Sequence, residues 1–317
     1  MDGIEALDVA LLEDAGRLRL IDHWLRVLRW ANGWHYDLDL VWILRQIGEM
    51  GLPRGAVVLD AGAGLGVLQF ILASLGYRVV SLDFTRRNPP RFARGIFDID
   101  FRQETDLGDY DHEYMRTMTY GESRRGLRSW LDPAKWLRLA SEPRRLSYLL
   151  SSRVRKRINP AYWLERTRDH SGFGSITFLR GTFNQIPRAA DSVDLLVSVS
   201  AFEHNKYEDM PGSVAEFLRV VRPGGSLLVT TSLAKEKDWY FEPPKGWNLT
   251  QASLARWFSI PDSRPIPYDE MMGKIRGSRA LESRIDPYYR FNGENGLPFG
   301  ALKDARYIPV GIRKRKT

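Results

Sequence analysis

The chain contains no cysteine in 317 residues, which excludes disulfides, a thiolate nucleophile and cysteine-held zinc. Histidine is scarce, at five, and no two histidines stand at the spacing of a helical metal pair, so no metal site is expected. No apolar run approaches the roughly 18 residues that mark a membrane span. The opening MDGIEALDVALLEDAG has neither the basic start nor the continuous apolar core of a signal peptide. These absences predict a soluble, cytoplasmic protein. What is present suffices for a core, since 43% of the residues are hydrophobic and a chain of this length can form one large, elaborated domain.

The formal charge is +8, and its placement says more than its size. Ser123 to Arg168 holds thirteen Lys/Arg against the acids Asp132, Glu142 and Glu165, a net +10. The remainder therefore carries 8 − 10 = −2. Just upstream, Asp98 to Glu122 has eight acids against Arg102 and Arg116. Such segregation predicts an inserted segment with its own partner.

Leu18, Ile21, Trp24, Leu25 and Leu28 recur at helical spacing, as do Leu40, Ile43, Leu44 and Ile47, so residues 1–54 predict two helices packed over the core. Ala56 to Leu59 reads as a buried strand ending in Asp60, followed by a helix from about Leu65 to Leu75 that Gly76-Tyr77 closes. Arg78 to Leu82 is a second strand ending in Asp83, and the intervening helix makes the two strands parallel. The alternation breaks over 85–175 and resumes with strands at Ile176 to Leu179, Val193 to Val199 and Ser226 to Thr231. A helix at Val214 to Val221 is ended by Arg222-Pro-Gly-Gly225, another is expected at Thr250 to Phe258, and Tyr307 to Ile312 reads as a last strand with Pro309 at an edge. The pattern is that of an α/β protein: a Rossmann-like, doubly wound, mostly parallel sheet with helices on both faces. Its core is 55–84 and 176–317, and a large, basic, mainly helical insertion, 85–175, separates its second and third strands.

In such a sheet, ligands bind beyond the carboxyl ends of the strands. The loop after Asp60 sits there, in the run VVLDAGAGLGVLQF. Gly62, Gly64 and Gly66 permit positive φ and leave the main chain bare toward a close-fitting molecule. A dinucleotide fingerprint needs its third glycine one residue later, where Val67 stands. A tight turn with no ligand is the plain alternative.

VLDAGAGLG, an acid ending the second strand, and the pair DLLVSVSAFEH and RPGGSLLV together resemble the class I S-adenosylmethionine-dependent methyltransferases, in particular the subgroup that modifies small molecules and lipid precursors. The resemblance covers roughly residues 55 to 84 and 176 to 232. It implies S-adenosyl-L-methionine as cofactor, held by Asp60, Ala61, Gly62, Ala63, Gly64 and Gly66, with Asp83 accepting both ribose hydroxyls and Phe84 beside it. A carboxylate offers two acceptor oxygens to a vicinal diol. The family's acid after the third strand is absent here. Thr182 takes its place, Phe183 can flank the adenine, and Asn184 and Gln185 are neighbours able to substitute. Ser200, after the fourth strand, and Tyr36, in the N-terminal segment, complete the implied cofactor contacts, although core packing also accounts for Trp34-His-Tyr36.

Transfer of a methyl group to a hydroxyl requires a proton acceptor, and a histidine suits that role near neutral pH. His204 follows the fourth strand and is the candidate catalytic residue, with Glu203 beside it and His170 as a weaker candidate. A loop histidine bonded to nearby main chain is the alternative. Asn88-Pro-Pro-Arg91 is not the motif of amino-methylating DNA enzymes: it stands after the wrong strand and lacks the aromatic.

The expected acceptor is a small molecule, or one linked to lipid or glycan and anionic in character. The basic helix around Leu146 to Ile158 can lie peripherally on an anionic membrane or receive a phosphorylated acceptor. Trp130, Trp136, Tyr148, Tyr162 and Trp163, interleaved with the basic residues, would also suit RNA. A solvated basic face is the plain account of the same charges. A nucleic-acid methyltransferase, or a binding protein that kept the fold without catalysis, therefore stays open at this point. Tyr288 to Phe291 fit either an acceptor pocket or a packed surface loop.

Overall fold

In a computed structural model of the protein, the described residues are 2–30, 32–64, 66–85, 91–101, 159–242, 244–285 and 302–317. The expected helix at 146–158, the aromatic residues Trp130, Trp136 and Tyr148, the prolines 89 and 90 and the run 288–291 lie outside them.

Ten strands among the described residues join one sheet system: β1 (Gly3–Ala6), β2 (Val57–Ala61), β3 (Arg78–Asp83), β4 (Asp98–Phe101), β5 (Ser175–Arg180), β6 (Val193–Val199), β7 (Val221–Ala234), β8 (Trp239–Phe241), β9 (Gly246–Thr250) and β10 (Ile308–Arg315). Their order is β1-β10-β7-β6-β2-β3-β5-β4, with β9 added to the end of β7 and β8 to β9. The run from β7 to β4 is parallel, and β10 and β1 close one side antiparallel. The central strands β2, β3 and β6 are largely buried and accordingly read as continuous apolar runs.

The N-terminal periodicity yields α1 (Ala15–Leu28) and α2 (Tyr36–Met50), whose expected apolar positions are buried apart from Leu25, which is half-buried. α2 packs on β6, β7 and β10. The helix after the glycine loop is α3 (Leu68–Ser74), shorter than expected at both ends and stopped by Gly76 at φ 92°. Its Phe70, fully buried, meets Trp30 and Phe97 edge-on; burial of such a ring contributes about 1.5–3 kcal/mol.

Three expectations are revised. The insertion is not separate from the sheet throughout: β4 pairs with β5, and α4 (Pro160–Arg166) packs on α1, with Asn159 capping α4 and donating to the carbonyl of Val27. A four-residue strand is too short to show a period. Pro309 is not on an edge strand, because β1 covers β10 from outside. Its carbonyl accepts from Leu7 just past the end of β1, so the N–H that proline lacks faces a place where the ladder has stopped. Finally, Arg222-Pro-Gly-Gly225 lies inside β7, as an irregularity between the Val193–Val221 and Leu195–Ser226 pairs, after α5 (Met210–Val220). The later helices are α6 (Gln251–Trp257), α7 (Tyr268–Gly277) and α8 (Arg279–Arg284). No helix among the described residues is long and apolar enough to cross a membrane.

Candidate active site

The loops after β2, β3, β5 and β6 all leave the carboxyl edge of the parallel strands. They bring together Asp60 to Gly66, Asp83 to Thr85, Thr182 to Gln185 and Ser200 to His204. Gly62 and Gly64 adopt φ values of 74° and 48°, the left-handed region in which glycine carries no penalty. The Gly62 and Ala63 N–H groups donate to the Leu82 carbonyl at 2.9 and 3.0 Å, and Gly66 N–H to that of Ala63 at 2.8 Å. Gln69, fully buried, donates to the Gly66 carbonyl at 2.8 Å and accepts from the Ser81 hydroxyl. It thereby ties the turn to β3, a role that a glutamine inside an apolar helix did not advertise.

The bareness of the turn has a partly internal cause. A Cβ on Gly62 would stand 2.4 Å from the Ala201 Cβ and 2.8 Å from the Phe183 ring, so this glycine makes room for the loops after β5 and β6. Gly64 instead turns its N–H onto the Asp83 carboxylate, at 2.8 Å. The other Asp83 oxygen accepts from the Thr85 N–H at 2.8 Å and from its hydroxyl at 2.6 Å. Asp60 is buried within β2 at the start of the turn. Phe84 is half-buried and its carbonyl accepts from Arg180.

After β5, Thr182 is buried and forms a bridge with Gln185, while the half-buried Phe183 lies edge-on to Phe217 and against Gly62. Asn184 accepts from the Ser213 hydroxyl, which also takes a bond from Asn205. Its amide oxygen is thus engaged on the α5 side.

After β6, Ser200 holds φ 43°. Its N–H donates to the carbonyl and hydroxyl of Thr230, and its own hydroxyl to Asp39 at 3.3 Å. Sequence reasoning missed Asp39, a charged residue inside an otherwise apolar stretch of α2. It is completely buried, and its Oδ2 also meets His35 Nδ1 at 2.8 Å, whereas Oδ1 has no hydrogen-bond partner among the described residues. Tyr36 begins α2 with its ring against Gly33 and edge-on to His35. Behind His35, the Trp34 indole donates to the Tyr307 hydroxyl at 3.0 Å, and burial pushes that phenol far above its usual range.

Glu203 and His204 form a one-turn 3-10 helix packed against β9. Glu203 is buried, and burial pushes its carboxyl upward, opposed by His204, by His35 and by the bond from the Thr231 hydroxyl at 3.0 Å. His204 is half-buried, and its Nδ1 lies 2.8 Å from the Lys245 carbonyl oxygen. A carbonyl only accepts, so Nδ1 carries the hydrogen and Nε2 is the basic nitrogen of the neutral ring. His170 is placed elsewhere. It precedes β5, at the amino edge, beside Glu165 and Phe173, and cannot share a site with His204. Among the described residues no cluster of His, Asp and Glu is arranged to hold a metal ion.

Residues 156–229 match the family described as Methyltransferase domain, a span from the approach to α4 into β7 that leaves the glycine turn outside. No curated protein matches the chain by sequence. Among solved structures, the chain is similar to 1,6-didemethyltoxoflavin-N1-methyltransferase of Burkholderia thailandensis with bound 1,6-didemethyltoxoflavin and S-adenosylhomocysteine (14% identity, 86% of this chain, 76% of that chain, TM-score 0.39). It is also similar to phosphoethanolamine N-methyltransferase 2 of Haemonchus contortus in complex with phosphomonomethylethanolamine and S-adenosylhomocysteine (12% identity, 96% of this chain, 59% of that chain, TM-score 0.49). A third similar structure is the [4+2]-cyclase SpnF (12% identity, 100% of this chain, 99% of that chain, TM-score 0.46).

Proposed function

We propose that this chain, a class I S-adenosylmethionine-dependent methyltransferase by its methyltransferase domain and sheet topology, transfers the methyl group to a hydroxyl oxygen of a small-molecule or lipid- or glycan-linked acceptor. The observation that carries the choice of oxygen is the His204–Lys245 bond at 2.8 Å, which puts the ring hydrogen on Nδ1 and so makes Nε2 the basic nitrogen, in the loop beyond the carboxyl end of β6.

The residues fit the cofactor. Asp83 already accepts a hydroxyl, that of Thr85, at 2.6 Å, and a ribose diol asks for the same chemistry. Asp60 and the main chain at Ala61 to Gly64 would hold the methionine part and Thr182 and Phe183 would flank the adenine, with Gly66, Ser200 and Tyr36 as further contacts. When bound, S-adenosyl-L-methionine supplies an electrophilic methyl carbon on a positively charged sulfur, which keeps the C–S electron pair as the carbon joins the acceptor oxygen. His204 Nε2 takes the hydroxyl proton as that O–C bond forms. The half-buried Phe183 and Ala201 and the buried Phe202 would shield the reacting groups from water and help hold them in line.

The test is methyl transfer to a panel of hydroxyl, amine and carbon acceptors, read by product mass spectrometry. His204→Gln is expected to lower kcat by about 10²–10⁴-fold while cofactor affinity by titration calorimetry stays unchanged. A product methylated at nitrogen or carbon, or a fully active variant, would overturn the assignment to oxygen. Absence of cofactor binding would overturn the whole reading.

A further inference from the structure

One feature of the surface stands apart from the methyl-transfer reading and does not depend on it. Trp163 and Leu164, adjacent on α4, are 58% and 63% exposed, and Phe101, at the end of β4, is 38% exposed. The three form one patch. Arg94 lies over the Phe101 ring at 4.6 Å, the next residue, Gly95, lies against Tyr162 and the Arg166 guanidinium, and Arg166 in turn lies over the Trp163 ring at 5.6 Å. Arg168, 56% exposed, adds a third guanidinium at the rim. Glu165, the acid between them, is buried and directed at His23 and Arg168. Asp98 and Asp100 alternate with Ile99 and Phe101 along β4 and so point to the opposite face.

Exposed Trp and Leu ringed by arginine is the composition of a segment that rests in the headgroup layer, where apolar side chains enter the acyl boundary and guanidinium groups meet phosphates. The same residue types also suit single-stranded RNA, but the geometry argues against it. Base stacking needs a free ring face. Here Arg94 covers one face of Phe101 while Phe178 stacks on that ring at 5.3 Å, so Phe101 offers a base no face, and Arg166 already takes one face of Trp163. Leu164, the most exposed apolar side chain of the patch, offers nothing to a base. We propose that the Phe101–Trp163–Leu164 patch with Arg94, Arg166 and Arg168 is a docking surface for an anionic phospholipid membrane.

The absence of cysteine makes a site-specific test direct. Leu164→Cys and, two residues past the end of β10 on the other side of the sheet, Thr317→Cys are each introduced into the full chain and labelled with an environment-sensitive fluorophore. Equimolar phosphatidylcholine–phosphatidylglycerol vesicles should shift the 164 label to the blue and leave the 317 label unmoved, whereas phosphatidylcholine alone should shift neither. In vesicle flotation, the double variant Trp163→Ser, Leu164→Ser should lose about tenfold or more in partitioning, with an unchanged melting temperature. Four results would overturn the proposal: no shift at 164; equal shifts at both positions; a label already blue-shifted in buffer, which would mean that residues 102–158 cover the patch; or undiminished flotation of the double variant, which would assign binding to that segment alone. A single-stranded RNA oligonucleotide that shifts the 164 label more than the vesicles do would assign the patch to nucleic acid instead.

Discussion

The main-chain N–H of Gly64 donates to Oδ2 of Asp83 across 2.8 Å, so the acid expected on the ribose also holds the glycine turn against the end of β3. Both roles fail together in Asp83→Ala. Loss of the acceptor strands the Gly64 and Thr85 donors and should cost about 1–3 kcal/mol in urea unfolding, and cofactor affinity by calorimetry should fall by more than tenfold. Asp83→Asn keeps one acceptor oxygen and should recover part of the stability without the affinity. A variant with normal affinity would show that the ribose lies elsewhere.

Gly62 tests the packing account of the turn. Gly62→Ala pays about 1–2 kcal/mol for a side chain at φ 74°, and about 1–3 kcal/mol more for forcing a methyl group against Ala201 and Phe183. Adding Ala201→Gly should restore the share of the second part that Ala201 imposes, and leave the first part and the Phe183 contact. If the double variant is no more stable than Gly62→Ala alone, measured by thermal unfolding, crowding by Ala201 is not the constraint.

The sheet was legible where a strand is central and fully buried. β2, β3, β5 and β6 each appear as an apolar run bounded by an acid, a glycine or an arginine, and the helix periods of α1 and α2 mark the faces they bury. The edges were not. β1 and β4 have four residues each and owe their state to a neighbouring strand, and Pro309 misleads because β1 ends just where the missing donor would be needed. At the site, the positions after each strand could be read from order alone. Asp39, Gln69 and Thr231 could not, since each acts through a partner far away in sequence: Ser200, Ser81 and Glu203 respectively.

Ser200 separates strain from bonding. At φ 43° a serine carries the left-handed cost that glycine escapes, and its hydroxyl supplies one of the bonds to the buried Asp39. Ser200→Ala keeps the strain and loses the bond, and should destabilise by about 1–2 kcal/mol. Ser200→Gly loses the same bond but relieves the strain, and should be about 1 kcal/mol more stable than the alanine variant. Equal stabilities in urea titrations would mean that the backbone at this position is not strained.

Glu203 makes stability depend on pH with a definite sign. Burial raises its carboxyl above the ordinary glutamate value of 4.5 in the folded state only. Below that value both states are protonated and the group contributes no pH dependence. As pH rises above it, the unfolded chain releases the proton while the folded chain keeps it. Unfolding is thereby favoured, by about 1.4 kcal/mol for each pH unit over which the difference persists. Stability should therefore fall from pH 5 upward through the raised value and then level off. Glu203→Gln keeps an acceptor for Thr231 and cannot ionise, so its melting temperature should exceed that of the parent at pH 7 and converge with it near pH 4. Parallel melting curves across that range would show that Glu203 ionises alike in both states, and its burial would then carry no electrostatic cost.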